Sequence, residues 1–342
     1  MRMQYSSDTS TPAGIQTACI FGLAEGLEHS RPEVPLDEYG NVPRAEDNLL
    51  PELTLEHFAA DRGAGNDKKL FDKFRAVHSS AALAFNCFAP LRAGGMPFDL
   101  AGHDGLQVEA FEQRSPTGLA RAQPRHLDVV ASGPAAHVAI ESRCLEYLTR
   151  RKPTFSGRFR TEITDERANG PWYAEMLRLV AGEGLGYRWL DAAQLIKHAF
   201  GLAHQADRPV TLVYLFWEPM DAELSPLFAK HRKEIAEFAE RIAGGTPRFE
   251  ALSYYELWDA WANSDDSRLV AHVAALRARY EVPAWAWEGV EWRDGRLHSA
   301  GWLDDLLDNP EADRAVAEDT TKRVMGKYGW SEAEARQLYG NS

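Results

Sequence analysis

The feature that most constrains this chain is the stretch from Leu127 to Arg143. Leu127-Asp128-Val129-Val130 and Ala139-Ile140-Glu141-Ser142-Arg143 read as two short apolar strands joined by the turn cluster Ser132-Gly133-Pro134-Ala135. An antiparallel hairpin turning at Pro134 and Ala135 sets Asp128 opposite Glu141, with Cβ atoms about 4.5–5.5 Å apart. Arg143, two residues past Glu141, shares its strand face. Two acids and a cation at the ends of apolar strands are costly to bury without a partner. A divalent cation is such a partner, because hard cations take carboxylate oxygens.

The rest of the chain leaves room for such a site. At 342 residues, 44% hydrophobic and 26% charged, it has an ordinary globular composition and the length of one large or two small domains. A net charge of -13 and a pI near 5.4 argue against a non-specific nucleic-acid coat, though not against a local basic groove. Cys19, Cys87 and Cys144 have no ligand-like spacing, which predicts reduced thiols in the cytoplasm and no zinc site. The apolar run Ile15 to Ala24 is broken by Gln16, Thr17 and Gly22. It falls short of the roughly 20 residues a membrane span needs, and it lacks the basic lead of a signal peptide. No membrane association is expected.

Three regions are expected: a loosely packed arm over 1–60, a core over 61–220, and a helical region packed on it over 221–342. Asn66 or Asp67 caps an expected first helix, with Leu70, Phe71, Phe74, Val77, Ala81, Ala82, Phe85 and Phe88 at helical spacing and His78 beside the apolar face. Gly105 to Arg114 alternates like a half-buried strand, with Glu112 near its end. Leu148 to Arg160 gathers Arg150, Arg151, Lys152, Arg158 and Arg160 without an acid. Trp189 to Leu202 reads as a helix in which Asp191 and Gln194 have capping-box spacing, and Gln194, Lys197 and His198 share one face. Pro209 to Trp217 is a continuous apolar run, as in a strand buried on both faces. Helices are expected over Leu224 to Ala243, after the capping box Ser253-Tyr254-Tyr255-Glu256, and over Arg268 to Tyr280.

Asp128, a gap, then Glu141-Ser142-Arg143 resembles the acid, gap, acid-x-Lys motif of the PD-(D/E)XK, restriction-endonuclease-like nuclease superfamily, with Arg in place of Lys. Gly63-x-Gly65-Asn66, His78-Ser79-Ser80-Ala81-Ala82-Leu83 with Asn86, Phe111-Glu112-Gln113-Arg114-x-Pro116-Thr117-Gly118 and Ala193-Gln194-Leu195-x-Lys197-His198 resemble a branch described as bacterial restriction endonucleases. The resemblance covers about residues 60 to 281. It implies an α/β fold with an α-β-β-β-α-β core, a mixed central sheet and a helical C-terminal layer.

It also implies metal-dependent hydrolysis of DNA, in restriction or host defence. Mg²⁺ or Mn²⁺ would be held by Asp128, Glu141 and the Ser142 carbonyl, with Glu112 as a third acid. Asp128, Glu141, Arg143, Gln194 and Lys197 would form the catalytic set, and the basic cluster Arg150, Arg151, Lys152, Arg158 and Arg160 would contact DNA phosphates. Arg143 does not act as a base, because its pKa stays above about 12. It can donate to a phosphate oxygen, and Lys197 is expected to supply the missing amine. Replacing either acid is expected to spare the fold, since neighbouring acids repel. DNA is the expected partner, together with a homodimer mate or a defence-system protein. Two rival readings stand beside this one. The first is a binding or scaffolding module that kept the fold and lost activity, which the Lys-to-Arg change favours. The second is a metallohydrolase with His126, Asp128 and Glu141 as ligands.

Overall fold

The computed structural model describes residues 12–284, apart from 38, 57–71, 118–124, 150–154, 156, 164–169, 183–185 and 206–208, and two strands beyond them. The chain divides into two compact units. The first includes Cys19–Ala284. The second takes in Tyr5–Ala18 and Trp285–Ser342, and its described strands, Val290–Arg293 and Arg296–Ser299, form an antiparallel hairpin.

The first unit is built on a six-stranded mixed sheet. Its strands are β1 (Phe98–Leu100), β2 (His103–Ser115), β3 (Arg125–Ser132), β4 (His137–Arg143), β5 (Val210–Phe216) and β6 (Arg248–Ser253), in that spatial order. β1 to β4 pair antiparallel, and β4, β5 and β6 pair parallel. The β3–β4 turn closes with Gly133 N–H on the Ala136 carbonyl at 2.9 Å, the hairpin expected around Pro134 and Ala135. β5 is buried at every position, as its unbroken apolar run predicts.

Helices cover both faces, and strand alternation decides for most positions which layer a residue meets. On one face Leu127, Val130, Ala139, Leu212, Tyr214 and Phe216 pack with residues of α3 (Gly157–Glu162), α4 (Gly170–Ala181), α5 (Ala192–Gln205) and α6 (Pro226–Arg241). On the other lie α2 (Ser80–Ala93), α7 (Tyr254–Ala262) and α8 (Ser267–Tyr280), with ring contacts of Phe85 to Phe111 and of Phe88 and Phe98 to Trp261. Along the chain the central elements run α2, β2, β3, β4, α5, β5, with β1 before β2 and α3 and α4 between β4 and α5.

Three sequence expectations need correction. The first helix does not run unbroken from Asn66 to Phe88. Residues 57–71 lie outside the described residues, a helical turn at 72–74 ends before Ala76, and Ala76 bridges to Asn41. Ser79, in extended geometry, then caps α2 by accepting the Ala82 N–H at 3.1 Å. Phe74 and Val77 are buried all the same, so the apolar spacing reported burial and not continuity.

The stretch expected as a loose arm holds a 19-residue helix, α1 (Pro12–Ser30). From Cys19 onward it belongs to the first unit. A Cβ at Gly22 would lie 2.2 Å from the Pro283 carbonyl oxygen, and one at Gly26 would lie 2.4 Å from that of Arg279. Two glycines one turn apart thus let α1 rest directly on the main chain at the end of α8. Arg279 seals the contact by donating to the Leu23 carbonyl at 2.8 Å.

The region after residue 220 is not wholly helical, because β6 extends the sheet. Its sequence, Arg-Phe-Glu-Ala-Leu-Ser, is short and half-polar, and most of it is only half-buried. Its strand character comes from pairing with β5 more than from its own pattern.

Candidate active site

The β3–β4 register pairs Val129 with Ile140 and Val130 with Ala139, so the next pair outward is Asp128 and Glu141. At that point the strands part. Asp128 turns its side chain into the ladder and accepts the Ser142 N–H on Oδ2 at 2.7 Å. Its partner on the other side, Glu112 of β2, has φ +47, a left-handed geometry uncommon for a residue with a Cβ. Glu112 and Asp128 line a narrow cleft with Phe74, Ala81, Phe85 and Phe111. Glu112 also meets His126 Nδ1 at 3.3 Å. Burial, then the neighbouring Glu141 and Glu112 carboxylates, hold the Asp128 carboxyl well above the usual carboxylate range, against the opposing pull of Arg143 and the Ser142 N–H.

Glu141 is 1% exposed and is held from three directions. Gln194 of α5 donates its amide to Oε1 at 2.8 Å. His198, one turn further along α5 and fully buried, brings Nε2 within 3.0 Å of Oε2. Arg143 pairs with Oε1 through Nη2. Asp191 caps α5 by accepting the Gln194 N–H at 3.1 Å, and this aims the first turn of the helix at the end of β4. The capping-box spacing therefore has another use, since the Gln194 side chain serves Glu141.

Arg143 also donates through Nη1 to the Ser142 carbonyl at 2.9 Å. Burial opposes its charge, but Glu141, Glu146 and Asp128 outweigh burial and raise its pKa. Ser142 faces the other helical layer. Its hydroxyl reaches the Ser80 carbonyl at 3.2 Å and the Tyr254 hydroxyl at 2.7 Å. Ser142 is thus fixed by its side chain, its N–H and its carbonyl at once.

The structure therefore brings Asp128, Glu141, Ser142, Arg143, Gln194 and Glu112 together. The Lys197 Nζ sits 5.1 Å from the Phe155 ring centroid and 5.7 Å from that of Phe159. Arg150, Arg151 and Lys152 lie outside the described residues, and Arg158 and Arg160 are described only as backbone of α3. One contributor escaped the sequence. Tyr254, 112 positions from Ser142, left no local signal. The i, i+4 spacing of Gln194 and His198 was visible, but its target was not.

Among the described residues no three His, Cys, Asp or Glu side chains cluster in a metal-binding arrangement. A divalent cation at this point would draw on Asp128, Glu141 and a main-chain carbonyl, for which Ser142 is suitably placed. The chemistry of the donors fits. Carboxylate and carbonyl oxygens are what a hard cation takes, and the buried Asp128 carboxyl lies beside the Glu141 and Glu112 carboxylates, with Arg143 as the opposing positive charge.

A family model described as Restriction Endonuclease associating with ARP matches residues 24–281, well over half of the chain. The chain belongs to this restriction-endonuclease-like family. Membership in the REase-ARP family suggests a nuclease or defence role, and a nuclease family implies a DNA substrate. No curated protein and no solved structure matches the chain. Among the described residues no helix is long and apolar enough to cross a membrane.

Proposed function

We propose that this protein is a metal-dependent endonuclease that hydrolyses DNA phosphodiesters in restriction or host defence. In this reading α2, β2, β3, β4, α5 and β5 form a PD-(D/E)XK core. The observation that carries the reading is the β3–β4 register, which brings Asp128 and Glu141 to the same end of the hairpin, with Asp128 accepting the Ser142 N–H and Gln194 of α5 bonded to Glu141. Two acids on adjacent strands and a glutamine from a later helix, converging from three separate segments, are hard to explain as a surface ion pair.

Asp128, Glu141 and the Ser142 carbonyl would hold Mg²⁺ or Mn²⁺, and Glu112 lies beside them. A bound divalent ion supplies Lewis acidity and lowers the pKa of a coordinated water. The chain's own part is positional. Gln194 and His198 fix the Glu141 carboxylate, and Tyr254 and Ser80 fix Ser142. Arg143 supplies a permanent cation able to stabilise charge on a phosphate oxygen. Arg150, Arg151, Lys152, Arg158 and Arg160 follow β4 directly and are assigned to phosphate contacts. Charge reversal at Arg150, Arg151 and Lys152 is then expected to weaken DNA binding and flatten its salt slope. Lys197, against Phe155 and Phe159, receives no catalytic role.

One observation favours a second reading, a catalytically degenerate binding module: Arg143 engages both Glu141 and the Ser142 carbonyl, two of the three groups a metal would use. A cleavage panel decides between them. Single- and double-stranded DNA and RNA are incubated with Mg²⁺, with Mn²⁺ and with EDTA. EDTA-sensitive DNA cleavage is the result expected of the endonuclease. Tight DNA binding without cleavage under every condition supports the degenerate module.

A further inference from the structure

We infer that Arg143 is a tethered cation that competes with the divalent metal for Glu141 and the Ser142 carbonyl, and that it yields by swinging toward Glu146. The inference rests on the metal-site reading above and adds how that site is controlled. Glu141 Oε1 faces Gln194 and Arg143, and Oε2 faces His198. These neighbours are not equivalent toward a metal. An amide can turn its carbonyl oxygen inward, and a neutral imidazole can present a lone pair. A guanidinium offers five N–H donors, no acceptor and a charge that does not leave. A second cation beside it would meet a like charge at the oxygen it needs, and would find the Ser142 carbonyl taken by Nη1 at 2.9 Å.

The guanidinium has a place to go. Arg143 keeps 13% of its side-chain surface and already lies close enough to Glu146 for that carboxylate to support its charge, in a narrow cleft lined also by Asp191, Arg188 and Tyr214. The acids of that cleft can take the arginine while its former positions, one carboxylate oxygen and one carbonyl, pass to the metal. A lysine in the same position is a single point charge on a flexible stem and does not span two acceptors as the planar fork does. The departure from the family motif thus becomes a device that sets metal affinity.

The test is Mn²⁺ binding to the full chain without DNA, by titration calorimetry or by the free-ion electron paramagnetic resonance signal. Arg143→Ala is expected to bind Mn²⁺ at least tenfold more tightly than wild type, with Arg143→Lys between them. Asp128→Asn added to Arg143→Ala is expected to abolish the gain. If Arg143→Ala melts early, Arg143→Gln, which keeps an amide donor for Glu141, makes the same comparison. Glu146→Gln is expected to weaken Mn²⁺ binding in the wild-type background and not beside Arg143→Ala. Equal weakening in both backgrounds would overturn the receiving role of Glu146. Asp128-dependent Mn²⁺ binding that is no tighter in Arg143→Ala and Arg143→Gln contradicts the competition and leaves the nuclease reading standing. Absence of Asp128-dependent binding in every variant contradicts the metal site itself.

Discussion

Gln194 on α5 donates its side-chain amide to Glu141 on β4 at 2.8 Å, across 53 positions of sequence. With Arg143 and His198 on the same carboxylate, Glu141 is the point where β4 and α5 are joined. This changes what removing Glu141 does. Instead of relieving repulsion, Glu141→Ala strands a buried arginine, an amide and an imidazole. The expected loss is about 3–5 kcal/mol of unfolding free energy, the range for breaking one side of a buried ion pair. Glu141→Gln, which keeps an oxygen for these donors, is expected to lose less. Urea denaturation measures both, and an alanine variant as stable as wild type would contradict the junction.

Asp128 behaves in the opposite way. Burial and the adjacent Glu141 and Glu112 raise its pKa in the folded protein. A raised folded-state pKa gives stability that is fully present below the ordinary value of about 3.9 and is lost as pH rises through the folded value. Asp128→Asn, which can still accept the Ser142 N–H, escapes that loss. It is expected to melt above wild type at pH 7 without metal and to converge with it below about pH 4. Calorimetric melting at the two pH values checks this, and a neutral-pH melting point below wild type would refute it.

His231 gives an acid-side prediction away from the site. It is stacked on Tyr147 with centroids 3.9 Å apart and meets the Tyr214 hydroxyl at 3.1 Å. Burial first, and Arg232 second, push its pKa down to about 3. A depressed folded value means stability present above the ordinary 6.5 and lost as pH falls toward 3. The loss from this one group approaches about 1.4 kcal/mol per pH unit. His231→Phe is expected to flatten the stability profile between pH 6 and 4 by about that slope. An unchanged profile, followed by urea unfolding, would show that His231 does not titrate there.

Lys197 separates position from chemistry. Its Nζ lies over Phe155 and Phe159, where a cation–π contact contributes about 0.5–2 kcal/mol. Lys197→Met is therefore expected to keep the cleavage rate within about threefold, whereas removing a transition-state donor costs on the order of 10²-fold. A loss on that larger scale in single-turnover cleavage would return Lys197 to the catalytic set.

The residues that were legible in the sequence are those whose signal is local. The Asp128–Glu141 pairing follows from a turn and a period of two, and Gln194 from helical spacing. The apolar run of β5 declared its own burial. What was not legible depends on distant chain. Tyr254 reaches Ser142 across 112 positions, β6 takes its strand geometry from β5, and Gly22 and Gly26 make sense only against the main chain of Pro283 and Arg279. A spacing of two puts Arg143 on the strand face of Glu141, but nothing in Glu141-Ser142-Arg143 signals that its side chain folds back onto the Ser142 carbonyl.

The central claim is that Asp128 and Glu141 form one metal-dependent phosphodiesterase centre. It is tested most directly by single-turnover cleavage of DNA with Mg²⁺ by wild type, Asp128→Asn and Glu141→Gln, each first shown to be folded by circular dichroism. The account predicts EDTA-sensitive cleavage by wild type and a loss of at least about 10²-fold in both variants. Wild-type, EDTA-sensitive cleavage by either folded variant would contradict it.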